Sequence, residues 1–302
     1  MKTFKLISRR SFIQKATITT GFVALGYDTI AGKILGTTEK SPFGEEIETV
    51  AEAELSESLP EKEYKSRFNA LQRYKWKAVF ADSGRDDWQK KWFLDGDRAK
   101  VENSRKGMTI HAGPTYKSEA DHAVLWTKDI FEANNLKITF DFTRIDTAQN
   151  PNTVNIIYIL AQGGGPKPLD ILEWAHERKE PRMNYYYNFM DTYHVSYAVI
   201  TEDLGNYIRG RRYMPSTGGA LNGTELTPEY ANVPLFEPGL TYKMTFIKTG
   251  RELFLQVKGQ GKDMVFYFDT TPFPLINKGR IGLRQMYTRI SRYSNFNVFV
   301  SQ

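Results

Sequence analysis

The chain has 302 residues, 40% of them hydrophobic and 14% aromatic, enough for one large core with aromatic side chains left over for a site. It contains no cysteine, which excludes disulfides, thiolate metal centres, cysteine nucleophiles and a lipid-modified cysteine, and its four histidines do not signal a multi-histidine metal centre. The formal net charge of +6 points to anionic partners, first uronate or sulfated glycans, then acidic lipid surfaces or nucleic acid.

At the N-terminus, Ser8-Arg9-Arg10-Ser11-Phe12-Ile13 with Lys15, followed by an uncharged run to Tyr27, has the pattern of a twin-arginine export signal. Its apolar part is too short and too rich in Thr and Gly for a comfortable membrane span. Residues 1–36 are therefore expected to be a removable leader, with a small-x-small cleavage site at Ala24-Leu25-Gly26. The mature protein would then be periplasmic or otherwise exported, with no integral membrane segment. Export, and the lack of any nucleic-acid motif, remove nucleic acid from the expected partners. Residues 37–66 are acidic and poor in aromatics, as in a linker or loosely packed arm, and 67–302 are expected to form the folded domain.

Beyond Arg67 the apolar pattern has period two over 74–80, 108–111, 123–127, 136–145, 154–161, 192–200, 242–248, 253–257, 264–268, 281–287 and 295–300. Turn residues separate these runs, among them Asn134-Asn135, Gly163-Gly164-Gly165-Pro166, Thr249-Gly250 and Asn277-Lys278-Gly279. Only Leu169 to Arg178 reads as a helix. Many short strands with one inserted helix imply an all-β sandwich of two antiparallel sheets. The meander from Tyr242 to Asp269, leading into Gly279-Arg-Ile-Gly-Leu-Arg-Gln-Met286, is of the kind found in concanavalin-like β-jelly rolls.

Three blocks carry a family resemblance. They are the strand pair at Val124-Leu125-Trp126 and Ile138 to Phe142, the segment Tyr193-His194-Val195-Ser196-Tyr197 with Asn206 and Arg209 to Arg212, and the closing Lys278 to Met286. Over approximately Tyr74 to Val300 the chain resembles the YesU-like family of bacterial concanavalin-type jelly-roll domains, long catalogued as a domain of unknown function. The resemblance implies a jelly-roll fold and a role in the breakdown of acidic plant or algal polysaccharides. The leader and the acidic arm depart from the family pattern.

Chemistry concentrates between Tyr185 and Tyr213, which holds clustered tyrosines, His194, Arg209, Arg211 and Arg212. In an extended strand His194 and Ser196 face one side and Tyr193, Val195 and Tyr197 the other, while Tyr207, Arg209 and Arg211 share a face, as do Arg284 and Met286 opposite Gln285. A uronate suits such a set, because neutralising its carboxylate makes the C5 proton removable, and loss of the C4 substituent then yields an alkene. Expulsion of a sugar makes the reaction a polysaccharide lyase, and expulsion of hydroxide a dehydratase. The expected roles are neutralisation by Arg209, or by Arg284 with Gln285, His194 as base, and Tyr197 or Tyr187 as acid. Asn206, Arg211, Arg212, Trp126 and His122 are expected to bind substrate. No cofactor or catalytic metal is called for, though the reading leaves room for a structural calcium ion.

Each of these residues also has an ordinary structural role open to it. His194 suits a hydrogen-bonded strand position, the tyrosines suit packing under a loop, the arginines a solvated edge and the tryptophans the core. Two rival functions follow from the same pattern. One is a non-catalytic carbohydrate-binding module; the other is a glycoside hydrolase, for which Glu173 with Glu177, or Asp191 with Glu202, would have to supply two opposed carboxylates.

Overall fold

The computed structural model describes residues 59–148, 150, 152–201, 205–215 and 221–301. The expected leader, and the arm as far as residue 58, lie outside the described residues. In chain order the elements are α1 (Glu61–Gln72), β1 (Trp76–Asp82), β2 (Trp92–Asp95), β3 (Lys100–Ser104), β4 (Gly107–His111), β5 (Ala123–Thr127), β6 (Phe131–Glu132), β7 (Asn135–Arg144), β8 (Asn155–Gly163), α2 (Met183–Phe189), β9 (Met190–Thr201), β10 (Gly205–Tyr213), β11 (Glu225–Tyr230), β12 (Thr241–Thr249), β13 (Glu252–Gly259), β14 (Lys262–Asp269), β15 (Lys278–Gln285) and β16 (Ile290–Ser301).

All strand pairs are antiparallel. One sheet, here called the inner sheet, runs β2-β5-β15-β8-β9-β10, with β6 added to β15; the other runs β14-β13-β12-β7-β16-β4-β3, with β1 on β16. Strand β11 joins the two, pairing with β10 through Gly210 and Leu226 and with β14 through Thr227 and Asp269. The fold is the jelly-roll sandwich that the alternating pattern implies. Alternate residues fill the space between sheets, including Phe140, Phe142, Ile157, Tyr193, Val195, Tyr197, Leu283, Tyr293 and Phe296.

The helices differ from expectation. Leu169 to Arg178 is a run of turns ending in a 3-10 segment at Ala175–Arg178, and the inserted α-helix is α2, just after it. Only Ile171, Trp174 and Arg178 of the expected helix face inward, while Leu169 and Leu172 are exposed. The expected boundary at residue 67 falls inside α1. That helix starts after Pro60, has Glu61 and Glu63 in its first turn, and seats Tyr64, Phe68 and Leu71 on Ile247, Phe254, Val265 and Tyr267 at the outside of the second sheet. Among the described residues no helix is long and apolar enough to cross a membrane.

Candidate functional site

The site lies on the face of the inner sheet turned away from the second sheet. Two bulges set which side chains reach it. Leu160 in β8 and Ala198 in β9 both have positive φ, 56° and 53°, and each inserts one extra residue against its neighbours. Leu160 is tolerated because Gly279 on β15 passes so close that a Cβ there would lie 2.3 Å from the Leu160 carbonyl carbon. The Ala198 carbonyl accepts from Arg289 Nη2 at 2.7 Å, which pins the second bulge. On this face β9 presents His194 and Ser196, and register places Arg211 opposite His194 and Arg209 opposite Ser196.

His194 is 3% exposed and both ring nitrogens are engaged. Nδ1 lies 2.6 Å from the Tyr213 hydroxyl, and Nε2 lies 2.6 Å from Ser196 Oγ. Burial pushes the His194 pKa well below the usual histidine value, and the positive charges of Arg211, Arg284 and Arg209 push the same way, so the ring is neutral. Burial raises the Tyr213 pKa well above the usual phenol value, so the hydroxyl keeps its proton. A neutral imidazole has one donor and one acceptor nitrogen, and the two flanking hydroxyls can match either tautomer.

The two partly exposed arginines of this face already have partners. Arg209 donates to Glu229 at 2.5 Å and lies 4.6 Å over the Tyr207 ring. Arg211 donates to Glu225 and Thr224, both at 3.0 Å, and to the Leu221 carbonyl.

Residues 164–189 pass over the other half of this face. Their contacts with the sheet centre on the fully buried Asp95, whose Oδ2 accepts from Arg178 Nε at 2.6 Å, Trp126 Nε1 at 2.7 Å and the Tyr186 hydroxyl at 3.0 Å. Burial raises the Asp95 pKa and these three donors oppose the rise. Trp126, Tyr158 and Tyr186 lie in parallel planes, with centroids 5.4 and 5.6 Å apart along the series. Gly282 leaves room for the Trp126 ring, since a Cβ would meet it at 2.4 Å. Beside this cluster Arg284, also fully buried, donates through Nη2 to the Pro181 carbonyl and to His122 Nδ1, both at 2.7 Å. Burial and Arg284 bring the His122 pKa down to about 2, so that ring too is neutral.

The structure thus gathers His194, Arg209, Arg211 and Arg284 of the expected site, with Tyr187 in edge contact with Tyr213 at 6.3 Å. Other expected members are placed elsewhere. Tyr197 points between the sheets, its hydroxyl 3.2 Å from that of Tyr293, so it cannot serve as the acid beside His194. Gln285 is on the face opposite Arg284 and its amide reaches the Ile110 and Arg289 carbonyls. Arg212 points away from Arg211, to Asp191 and the Pro274 carbonyl. Asn206 secures a loop through the Leu235 carbonyl. Trp126 and His122 are fully buried, which corrects the expectation that they stack on or line a path for sugar. Tyr213, Ser196 and Tyr158 join the site although the sequence reading did not include them in it. Counting by twos from Arg209 and Arg211 would have reached Tyr213. Among the described residues no three or more His, Asp or Glu side chains gather as metal ligands would.

A family model described as Domain of unknown function (DUF1961) matches residues 83–298. The chain belongs to this family. The resemblance drawn from the three sequence blocks, to a jelly-roll domain of unknown function, agrees with it. One solved structure similar to this DUF1961 chain is a protein of unknown function with a galectin-like fold from Bacillus subtilis. It is 19% identical and covers 76% of this chain and 100% of its own, with a TM-score of 0.59. Another is the winged bean acidic lectin complexed with methyl-α-D-galactose, 10% identical over 75% of this chain and 99% of its own, with a TM-score of 0.50. At these identities the likeness of this chain to the two structures shows the fold alone. No curated protein matches the chain.

Proposed function

We propose that this protein is an exported carbohydrate-active carbon-oxygen lyase, which eliminates across C4 and C5 of a uronic acid in an acidic oligosaccharide. The observation that carries the reading is the 2.6 Å contact between His194 Nδ1 and the Tyr213 hydroxyl, on a face edged with arginines. With Nε2 carrying the resting hydrogen, Nδ1 of the neutral His194 ring takes the C5 proton as the Tyr213 hydroxyl turns to the leaving oxygen, the C4–O4 bond breaks as the C4–C5 double bond forms, and Tyr213 gives its proton to that oxygen. The contact then returns the site to its starting state, because imidazolium Nδ1–H faces the phenolate oxygen and passes the proton back.

Substrate charge fits the same chemistry. Burial first, and the charges of Arg211, Arg284 and Arg209 after it, hold the His194 pKa down; a carboxylate that cancels the arginine field removes the second of these contributions, which a neutral sugar would leave in place. Hydrolysis is less well supported, since Asp95, Glu225 and Glu229, the carboxylates near this face, are each bonded to an arginine.

The test is to incubate the full chain with uronate oligosaccharides and to follow mass and the ultraviolet absorbance of a conjugated alkene. Alkene with chain cleavage identifies a polysaccharide lyase, and alkene with loss of one water a dehydratase. Uptake of water without alkene would overturn elimination. A second reading, non-catalytic carbohydrate binding, is favoured by the low exposure of His194 beside the segment that covers the face. It would be established by glycan binding that persists, without turnover, in His194→Ala.

A further inference from the structure

We propose that Arg284 and Tyr158 form the subsite that receives a carboxylate of the bound glycan, beneath α2 and apart from the partly exposed Arg209 and Arg211. The proposal rests on the acidic-glycan reading above and assigns its key recognition step to a particular pair of side chains.

A guanidinium stays charged in proteins and has five N–H bonds. The two on Arg284 Nη2 are used by His122 and the Pro181 carbonyl, while Nε and Nη1 have no acceptor. The Tyr158 hydroxyl lies close enough to Arg284 to interact with it but has no acceptor for its own proton, His122 Nε2 lacks a partner, and all four atoms are buried. Because His122 Nδ1 accepts from Arg284, its Nε2 carries the hydrogen, so another donor stands without an acceptor. An excess of buried donors around an unneutralised cation is costly in an empty site, and an anion satisfies it.

A comparison among the arginines of this face separates Arg284 from the rest. Arg178 is paired with Asp95, Arg209 with Glu229, Arg211 with Glu225 and Arg280 with Asp170. Among the described residues Arg284 has no carboxylate. Its guanidinium carbon instead lies 4.5 Å over the Tyr186 ring, a contact that leaves the charge in place.

Position links the pair to His194. Register places Tyr158 opposite His194 on one side and opposite Gly282 on the other, two residues from Arg284. The Tyr158 ring meets the His194 ring edge-on at 5.6 Å, and its hydroxyl is within electrostatic reach of Arg284. A carboxylate held there would have its neighbouring ring carbon directed toward His194, as abstraction of a C5 proton requires. Pro181 and Tyr186 roof the pair, so the ligand enters by displacing that part of the covering segment.

The experiment measures binding of a uronate oligosaccharide and of its carboxyl-reduced counterpart to the full chain by calorimetry, with alkene formation followed in parallel. The wild type is expected to favour the acid by about tenfold or more, since hydrogen bonds to a charged group are strong in a buried site. Arg284→Met should abolish the preference. Tyr158→Phe, which keeps the ring and the packing, should reduce it severalfold and serves where the arginine variant does not fold. A preference that survives in both variants, or is lost in Arg209→Met alone, would overturn the assignment, as would a wild type with no preference. If the preference depends on Arg284 but no alkene forms, the subsite stands and elimination fails. If alkene forms and the preference ignores Arg284, elimination stands and the subsite fails.

Discussion

The two faces of the inner sheet use the same residue types for opposite ends. On the face toward the second sheet, Tyr193, Val195 and Tyr197 of β9 join an apolar core in which the Tyr197 hydroxyl meets only that of Tyr293. On the other face, one residue along, His194 binds Tyr213 and Ser196, and its ring feels the charges of the partly buried Arg211 and Arg209 and of the buried Arg284. Both faces exclude water. The difference is that the first face meets a largely apolar core, with Arg212 and Lys248 lying over the Tyr193 ring, whereas the other buries Arg284, a cation without a carboxylate, beside several donors without acceptors. The second face thereby retains unmet hydrogen-bonding capacity that a ligand can fill.

The largest effect that would test this contrast is on catalysis. His194→Gln and Tyr213→Phe are each expected to slow alkene formation by roughly 10²–10⁴-fold, the range for positioned acids and bases. If the two act as one proton-passing unit, the double variant should be scarcely slower than the worse single one. Additive losses would show that the residues work independently.

Next in size is stability. Asp95→Asn should lower the unfolding free energy in urea by about 3–5 kcal/mol, because Arg178 is then left as an uncompensated buried charge. Arg284→Met should cost less in the same assay, about 1–3 kcal/mol for the donor lost by His122 and the Pro181 carbonyl, as no carboxylate is left unpaired. A large loss at both positions would mean that Arg284 is as much a structural cation as Arg178.

The sandwich was legible in the sequence because inward and outward residues alternate along nearly every long strand, as at Leu136 to Thr143 in β7. Alternation also separated His194 from Tyr197, yet the expected acid was drawn from the wrong face; strand geometry should have outweighed proximity in sequence. Strand β11 was hidden by Pro228, which argues against a central strand but is accommodated where β11 bridges the sheets. Helix α2 was hidden as well, since Tyr185-Tyr186-Tyr187 has little intrinsic helical preference. Burial of Tyr186 against Asp95 and Arg284 holds the turn instead. Such long-range contacts leave no local pattern. The partners of each arginine were likewise illegible, because Arg284 is separated from His122 by 162 positions in the chain.

A smaller effect concerns pH. His194 and His122 are neutral when folded, with pKa values pushed down, whereas in the unfolded chain each takes a proton near pH 6.5. Below that pH the unfolded state binds more protons, so the contribution of these two histidines to stability is flat above about pH 6.5 and falls as pH falls. Each histidine contributes a slope of up to about 1.4 kcal/mol per pH unit, and His122→Gln should remove one share in urea titrations between pH 6.5 and 4. An unchanged slope would mean that His122 becomes charged in the folded protein.

The smallest expected change is the control for the whole contrast. Tyr197→Phe removes one hydroxyl from the apolar face and leaves the ring against Phe142 and Phe236. Tyr293 keeps its hydrogen bond from Asn155 at 3.1 Å, so its hydroxyl is not left without a partner. The loss should be about 1 kcal/mol of stability, one neutral hydrogen bond, with turnover within about twofold of the wild type. Tyr213→Phe makes the same chemical change on the other face, where it deletes the proton donor. If the two variants lost turnover equally, the sheet would be coupled through its core, and assigning chemistry to one face of β9 would fail.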